Sequence, residues 1–154
     1  MPAPLLPVPH KQQRQQADCL AACAAMALAY LNLHVGYDLV LNRLQVDEIG
    51  TPFSKLRLLK SWGVHAEIEQ GSMQRLVMRL LHNHPVIVAI ATGELHTYWN
   101  VATSHAVVVV GMDDEFVYVN DPELSAAPHR IPTAEFELAW MEKDYLSAIL
   151  RLRS

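Results

Sequence analysis

The chain alternates between blocks of apolar residues with distinct periods. From Cys19 to Leu33 nearly every position is apolar and many are alanine. An all-round apolar stretch of helical length predicts a buried central helix whose small side chains let neighbours approach closely. Asp18 stands immediately before it as the expected N-cap. Residues 38–45 and 53–62 predict two shorter helices, and residues 72–83 an amphipathic helix capped by Ser72. The period then changes. Residues 63–69 alternate as a half-buried strand, whereas 84–91 ("HPVIVAIA") form a continuous apolar run that suits a strand covered on both faces. "SHAVVVVGM" (104–112) and "EFVYVND" (115–121) predict a hairpin. "HRIPT" predicts a short strand, "TAEFELAWM" a helix and "YLSAILRL" a closing strand. Residues 1–12 carry prolines at 2, 4, 7 and 9 and read as extended. Helices come first and strands that can pair antiparallel come later, so the expected fold class is α+β. The absence of repeats or a linker makes residues 1–154 a single expected domain.

Composition narrows the function classes. Apolar residues make up 51% of the 154 positions and charged residues 18%, with a net charge of −4. This is a globular composition with no basic cluster, so no nucleic-acid partner is expected. The apolar run 19–33 is too short and too alanine-rich for a bilayer span, and "MPAPLLPVPH" lacks the charged start of a signal peptide. Two cysteines four residues apart on one helix cannot bridge without strain. Reduced thiols and a cytoplasmic location are the expectation.

Three groups carry candidate chemistry. Cys19, as the first residue of a helix, would sit at the positive end of the helix dipole beside open N–H groups, which favours a thiolate and can hold an oxyanion. Cys23, one turn further in, reads as a small core residue. In the 104–121 hairpin, a three-residue loop at 112–114 would set His105 directly opposite Asp121, with Cβ atoms about 5 Å apart, whereas a two- or four-residue loop would set residue 120 or 122 there instead. An Asp there would fix the imidazole tautomer and stabilise its charged form. Asn120 is the rival partner, and strand alternation allows only one of the two to face His105. Ser104 points away from His105 by the same alternation. A second oxyanion donor could come from Gln12, Gln13, Gln15 or Gln16. His82 and His84 invite a metal reading with Cys19, but no metal-ligand spacing supports it, so neither metal nor cofactor is expected. The loop "LHTYWN" (95–100) reads as a surface segment or as a cleft wall offering Trp99 as an apolar contact.

Taken in order, "QRQQADC", "AACAAMALAYL", "HAVVVVG" and "NDP" resemble the papain-like cysteine peptidases, and within them the bacteriocin-processing C39 family. The resemblance runs from about residue 8 to residue 150. It implies a papain-like fold with the Cys-bearing helix packed on an antiparallel sheet. It also implies Cys19 as nucleophile, His105 as general base and acid, Asp121 as its orienter, and Gln13, six positions before Cys19, as oxyanion donor. A peptide or protein substrate follows, with a separate transporter or peptide precursor as a further expected partner. Leu20 departs from the Gly usual after the nucleophile. The same residues leave two other readings open: an acyltransferase that hands the acyl group to an amine, and a non-catalytic peptide-binding domain.

Overall fold

The computed structural model describes residues 3–153. Six strands form one antiparallel sheet: β1 (Val64–Gln70), β2 (Val86–Ala91), β3 (Ser104–Met112), β4 (Phe116–Asn120), β5 (His129–Pro132) and β6 (Leu146–Leu152). Their order is β1-β6-β2-β3-β4-β5. The last strand thus inserts between the first two, and β3 lies near the middle of the sheet. Helix α1 (Cys19–Tyr30) packs on one face with α2 (Tyr37–Arg43) and a 3₁₀ segment (Phe53–Trp62). The helices α3 (Met73–Leu81) and α4 (Thr133–Met141) cover the other face.

Strand alternation builds the two cores. Ile87, Ala89, Ala106, Val108 and Val110 face α1, while Val86, Val88, Ile90, Val107 and Val109 face α3 and α4. This is why β2 and β3 are apolar at consecutive positions. Every α1 residue from Leu20 to Ala29 is buried, and each large apolar side chain so buried contributes about 1.5–3 kcal/mol. The helix ends at Tyr30, earlier than the apolar run suggests, because Asn32 adopts a left-handed φ of 65°. Ser72 caps α3 as its sequence predicts, accepting the Arg75 N–H at 3.1 Å.

Asp18 does not cap α1. A 3₁₀ turn, Gln16–Asp18, runs directly into the helix. The Asp18 carboxylate bends back to accept the Gln15 N–H at 3.2 Å and the Tyr37 hydroxyl at 3.1 Å. Helical winding therefore starts before Cys19, and the carboxylate caps that turn at Gln15 and ties it to α2 instead of capping α1.

The β3–β4 hairpin also departs from the simplest register. Its turn is tighter than three residues: Asp113 N–H donates to the Phe116 carbonyl at 2.9 Å, and the Asp113 carboxylate accepts the N–H groups of Glu115 and Phe116. Met112 then faces Val117 and Gly111 faces Tyr118, but a β-bulge follows, after which Val109 faces Val119 and Val108 faces Asn120. His105 and Asp121 are consequently not directly opposite. The register carries Asp121 to the level of Val107, two residues along from His105 and on the same face. The expected pairing is off by an even number of residues, so the facing relation survives as a diagonal contact. Without the bulge, Asp121 would align with Val108 and share a face with Val108 and Ala106 instead of with His105.

The N-terminal segment straps this bulge. Ala3 N–H bonds to the Met112 carbonyl at 2.8 Å and Leu6 N–H to the Val110 carbonyl at 2.7 Å. The carbonyl of the bulged residue is thereby satisfied. A Cβ at Gly111 would come within 2.8 Å of Leu5 Cδ1 and 3.1 Å of Leu5 Cα, so the strap lies as close as a glycine allows. Further along, Asn120 Nδ2 donates to the Val8 carbonyl at 3.1 Å, and Gln13 N–H to the Pro122 carbonyl at 2.8 Å.

Candidate active site

Cys19 opens α1 and is half-buried, whereas Cys23 is fully buried. Burial, and then the nearby Cys19 and Asp121, push the Cys23 thiol well above its ordinary pKa, which leaves it a core residue. His105 is the second residue of β3, with a side chain 4% exposed, and Asp121, just past β4, is completely buried. His105 Nε2 donates to Asp121 Oδ1 at 2.7 Å. That bond places a proton on Nε2 and leaves Nδ1 as the nitrogen for another partner. Burial opposes a charged imidazole here. Hydrogen bonding to Asp121 and the charge of that carboxylate, with Cys19 nearby, outweigh it and raise His105 to about 9.

The buried carboxylate is fully satisfied. Besides His105, Asp121 Oδ1 accepts the Glu123 N–H at 2.9 Å; Oδ2 accepts the Tyr98 hydroxyl at 2.8 Å and Trp99 Nε1–H at 3.3 Å. These donors overcome the burial that would otherwise raise its pKa and hold Asp121 below the usual carboxylate value. Asn120 takes no part, because its amide is spent on the N-terminal strap.

Tyr98 and Trp99 come from the loop after β2, and sequence reasoning missed their role. Trp99 is not simply an apolar wall: its indole bonds Asp121 and lies against His105 with ring centroids 4.8 Å apart. Thr92, 1% exposed, ties the base of this loop, its hydroxyl donating to the Val101 carbonyl at 2.6 Å and accepting the Thr103 N–H at 2.8 Å. The available signal was two adjacent aromatic hydrogen-bond donors leading into the His strand, but their target depends on the hairpin register.

Two clefts meet at His105. One, about 620 Å³, is bordered by Cys19, Leu20, Ile49, Phe53 and Leu146. The other, about 480 Å³, is lined by Gln13, Arg14, Trp99 and Glu123, and lacks Cys19. Ser104 is exposed and lines both. Leu20 is 2% exposed and belongs to the core on the α1 side of the sheet, bordering the Cys19 cleft from there. Gln13 stands at the mouth with its amide turned inward on its own turn, donating to the carbonyls of Gln15 at 2.9 Å and Gln16 at 3.3 Å. Its Oε1 is buried without a hydrogen-bond donor. His82 and His84 line a separate depression with Arg75, Met78 and Arg79. Among the described residues, no three His, Cys, Asp or Glu side chains gather as a metal site.

Cys19 and His105 thus border one cleft, with His105 bonded to the buried Asp121 carboxylate. The Peptidase C39 family model matches residues 7–146. The chain belongs to the Peptidase C39 family. Its fold is that of the papain-like C39 peptidases, and the family supports a cysteine peptidase as the general activity. A C39-like peptidase from Bacillus anthracis superposes with a TM-score of 0.82 at 20% identity, covering 100% of this chain and 99% of that one. A double glycine motif protease from an AMS/PCAT transporter, in complex with its leader peptide, gives 0.76 at 22% identity, covering 98% and 97%. The peptidase domain of Streptococcus ComA, a bi-functional ABC transporter of a quorum sensing pathway, gives 0.73 at 18% identity, covering 94% and 98%. A comparison with curated protein sequences finds no match.

Proposed function

We propose that this C39 member hydrolyses peptide bonds through Cys19, His105 and Asp121, with Gln13 as oxyanion donor. The observation that carries the reading is the 2.7 Å bond from His105 Nε2 to buried Asp121, which leaves Nδ1 to serve the Cys19 thiol. In this reading Nδ1 accepts the thiol proton and the sulfur attacks the substrate carbonyl. The resulting oxyanion is held by the Cys19 N–H at the head of α1 and by the Gln13 amide, swung from its resting contacts. The unpartnered Oε1 of Gln13 makes that resting pose inexpensive to leave. The imidazolium then gives its proton to the departing amine, a thioester remains on Cys19, and water releases the acid by the same steps in reverse.

The two clefts suit an extended peptide lying on both sides of the scissile bond. The cleft that contains His105 but not Cys19 is the side from which a leaving amine would collect its proton, so the Cys19 cleft takes the acyl portion. Likeness to a double glycine motif protease supports a leader-bearing peptide as substrate, with a transporter or precursor peptide as partner.

Iodoacetamide labelling tests the thiol. Near pH 6, Cys19 should alkylate faster than a free cysteine while Cys23 stays unmodified. Cys19→Ala should abolish cleavage of a double-glycine leader peptide and leave the thermal melt unchanged. Labelling of Cys19 no faster than free cysteine, or full cleavage by Cys19→Ala, overturns the proposal.

A further inference from the structure

We infer that Tyr98 is a positioning residue for proton exchange at His105, acting through Asp121 by setting how much of the carboxylate's charge reaches the imidazole. This rests on the cysteine-peptidase reading above. The division of donors between the two oxygens is the first support. His105 and the Glu123 N–H occupy Oδ1, while the Tyr98 hydroxyl, at 2.8 Å, is the shortest donor on Oδ2. Trp99 Nε1–H adds a longer contact of 3.3 Å to that same oxygen. Tyr98 therefore fixes the rotation of the carboxylate about its own axis and draws charge to the oxygen that His105 does not use.

Tyr98 is itself held. Its ring stacks on His129 of β5 with centroids 4.1 Å apart and an interplanar angle of 49°. Burial, followed by the Asp121 charge and hydrogen bond, keeps the phenol protonated well beyond its ordinary range, so it remains a donor wherever His105 titrates. The groups facing this network are Cys19 and the buried Cys23 thiol from α1, His105 from β3, His129 from β5 and Glu135 from α4. Burial holds His129 below its ordinary value despite the nearby carboxylates, so it adds no competing cation near neutral pH. With the Tyr98 hydroxyl removed, the carboxylate would pull harder on the imidazolium. The proton would then pass less readily to the leaving amine.

The test compares wild type, Tyr98→Phe and His105→Ala. Phe retains the ring stack on His129 and loses only the hydroxyl. The rate of Cys19 alkylation by iodoacetamide is followed from pH 5 to 10, alongside kcat and KM for a double-glycine leader peptide. Wild type should alkylate already at about pH 6 and show a further step near pH 9, whereas His105→Ala should show only the ordinary thiol step at about pH 8.5. In Tyr98→Phe the step should move upward by about half a pH unit, and kcat should fall several-fold with KM unchanged. A Tyr98→Phe profile and kcat that coincide with wild type, while His105→Ala loses the reactivity at about pH 6, overturn the inference alone. A wild-type profile that matches His105→Ala overturns the peptidase reading and this inference with it. If Tyr98→Phe does not fold, 3-fluorotyrosine at position 98 retains the ring and strengthens the donor. The step should then move downward, and an unmoved step overturns the inference.

Discussion

His105 and Asp121 behave as one unit, and the consequence is sharpest for the carboxylate. Asp121→Asn keeps the volume and an acceptor oxygen but removes the charge that helps raise His105 to about 9. The imidazolium should then lose its proton at lower pH, so the alkaline limb of kcat/KM should move down from about pH 9. The rate at the optimum should fall roughly a thousandfold or more. A pH–rate series on both proteins checks this, and an unmoved limb would show that Asp121 does not tune His105. Asn120 is adjacent in sequence, and its Ala variant should leave that limb in place, because its amide holds Val8 and not the imidazole.

At the scale of elements, the site depends on a bulge and a strap. The single unpaired residue between Val109 and Gly111 sets the register in which Asp121 shares a face with His105. The N-terminal segment satisfies that bulge through Leu6 and crosses Gly111 at near contact. Gly111→Val would push directly into Leu5 and the Pro4 carbonyl. We expect a loss of about 1–3 kcal/mol of stability and slower Cys19 alkylation at temperatures where the variant is still folded. Urea titration and labelling kinetics on the same sample measure both. Wild-type stability in this variant would mean that the strap is not pressed on the bulge in solution.

For the whole molecule, the His105–Asp121 pair links stability to pH. His105 is raised from an ordinary value near 6.5 to about 9 when folded. Its contribution is thus complete below about pH 6.5 and lost as the pH rises through about 9. Asp121 is lowered, so its side of the pair is present above its ordinary value and lost as the pH falls through the depressed one. Counted once, the alkaline loss is about 3 kcal/mol at most. Urea midpoints at pH 6 and pH 9.5 should differ clearly in wild type and much less in Asp121→Asn. Equal differences in the two proteins would assign the pH dependence to other groups.

Much of this was legible along the chain because it is local. The all-apolar run of α1, the Ser72 cap and the doubly covered β2 are fixed by side-chain period and capping chemistry, which act within a few residues. Cys19, His105, Asp121 and Gln13 were also nameable as candidates, by spacing and by resemblance, and their catalytic roles belong to the proposal. What the chain could not reveal alone lies in contacts between distant segments. The bulge at Val110 depends on a strap more than a hundred residues away in sequence, the Tyr98 and Trp99 hydrogen bonds depend on the register that bulge creates, and Asp18 turned to Tyr37 of α2 in place of capping its own helix. The inward burial of Leu20 was settled in the same way, by the sheet beneath it. Local sequence selects which elements form, because periodicity and caps are short-range. The relative placement of those elements decides which donor meets which acceptor, and that emerges only when the two cores close on a common sheet.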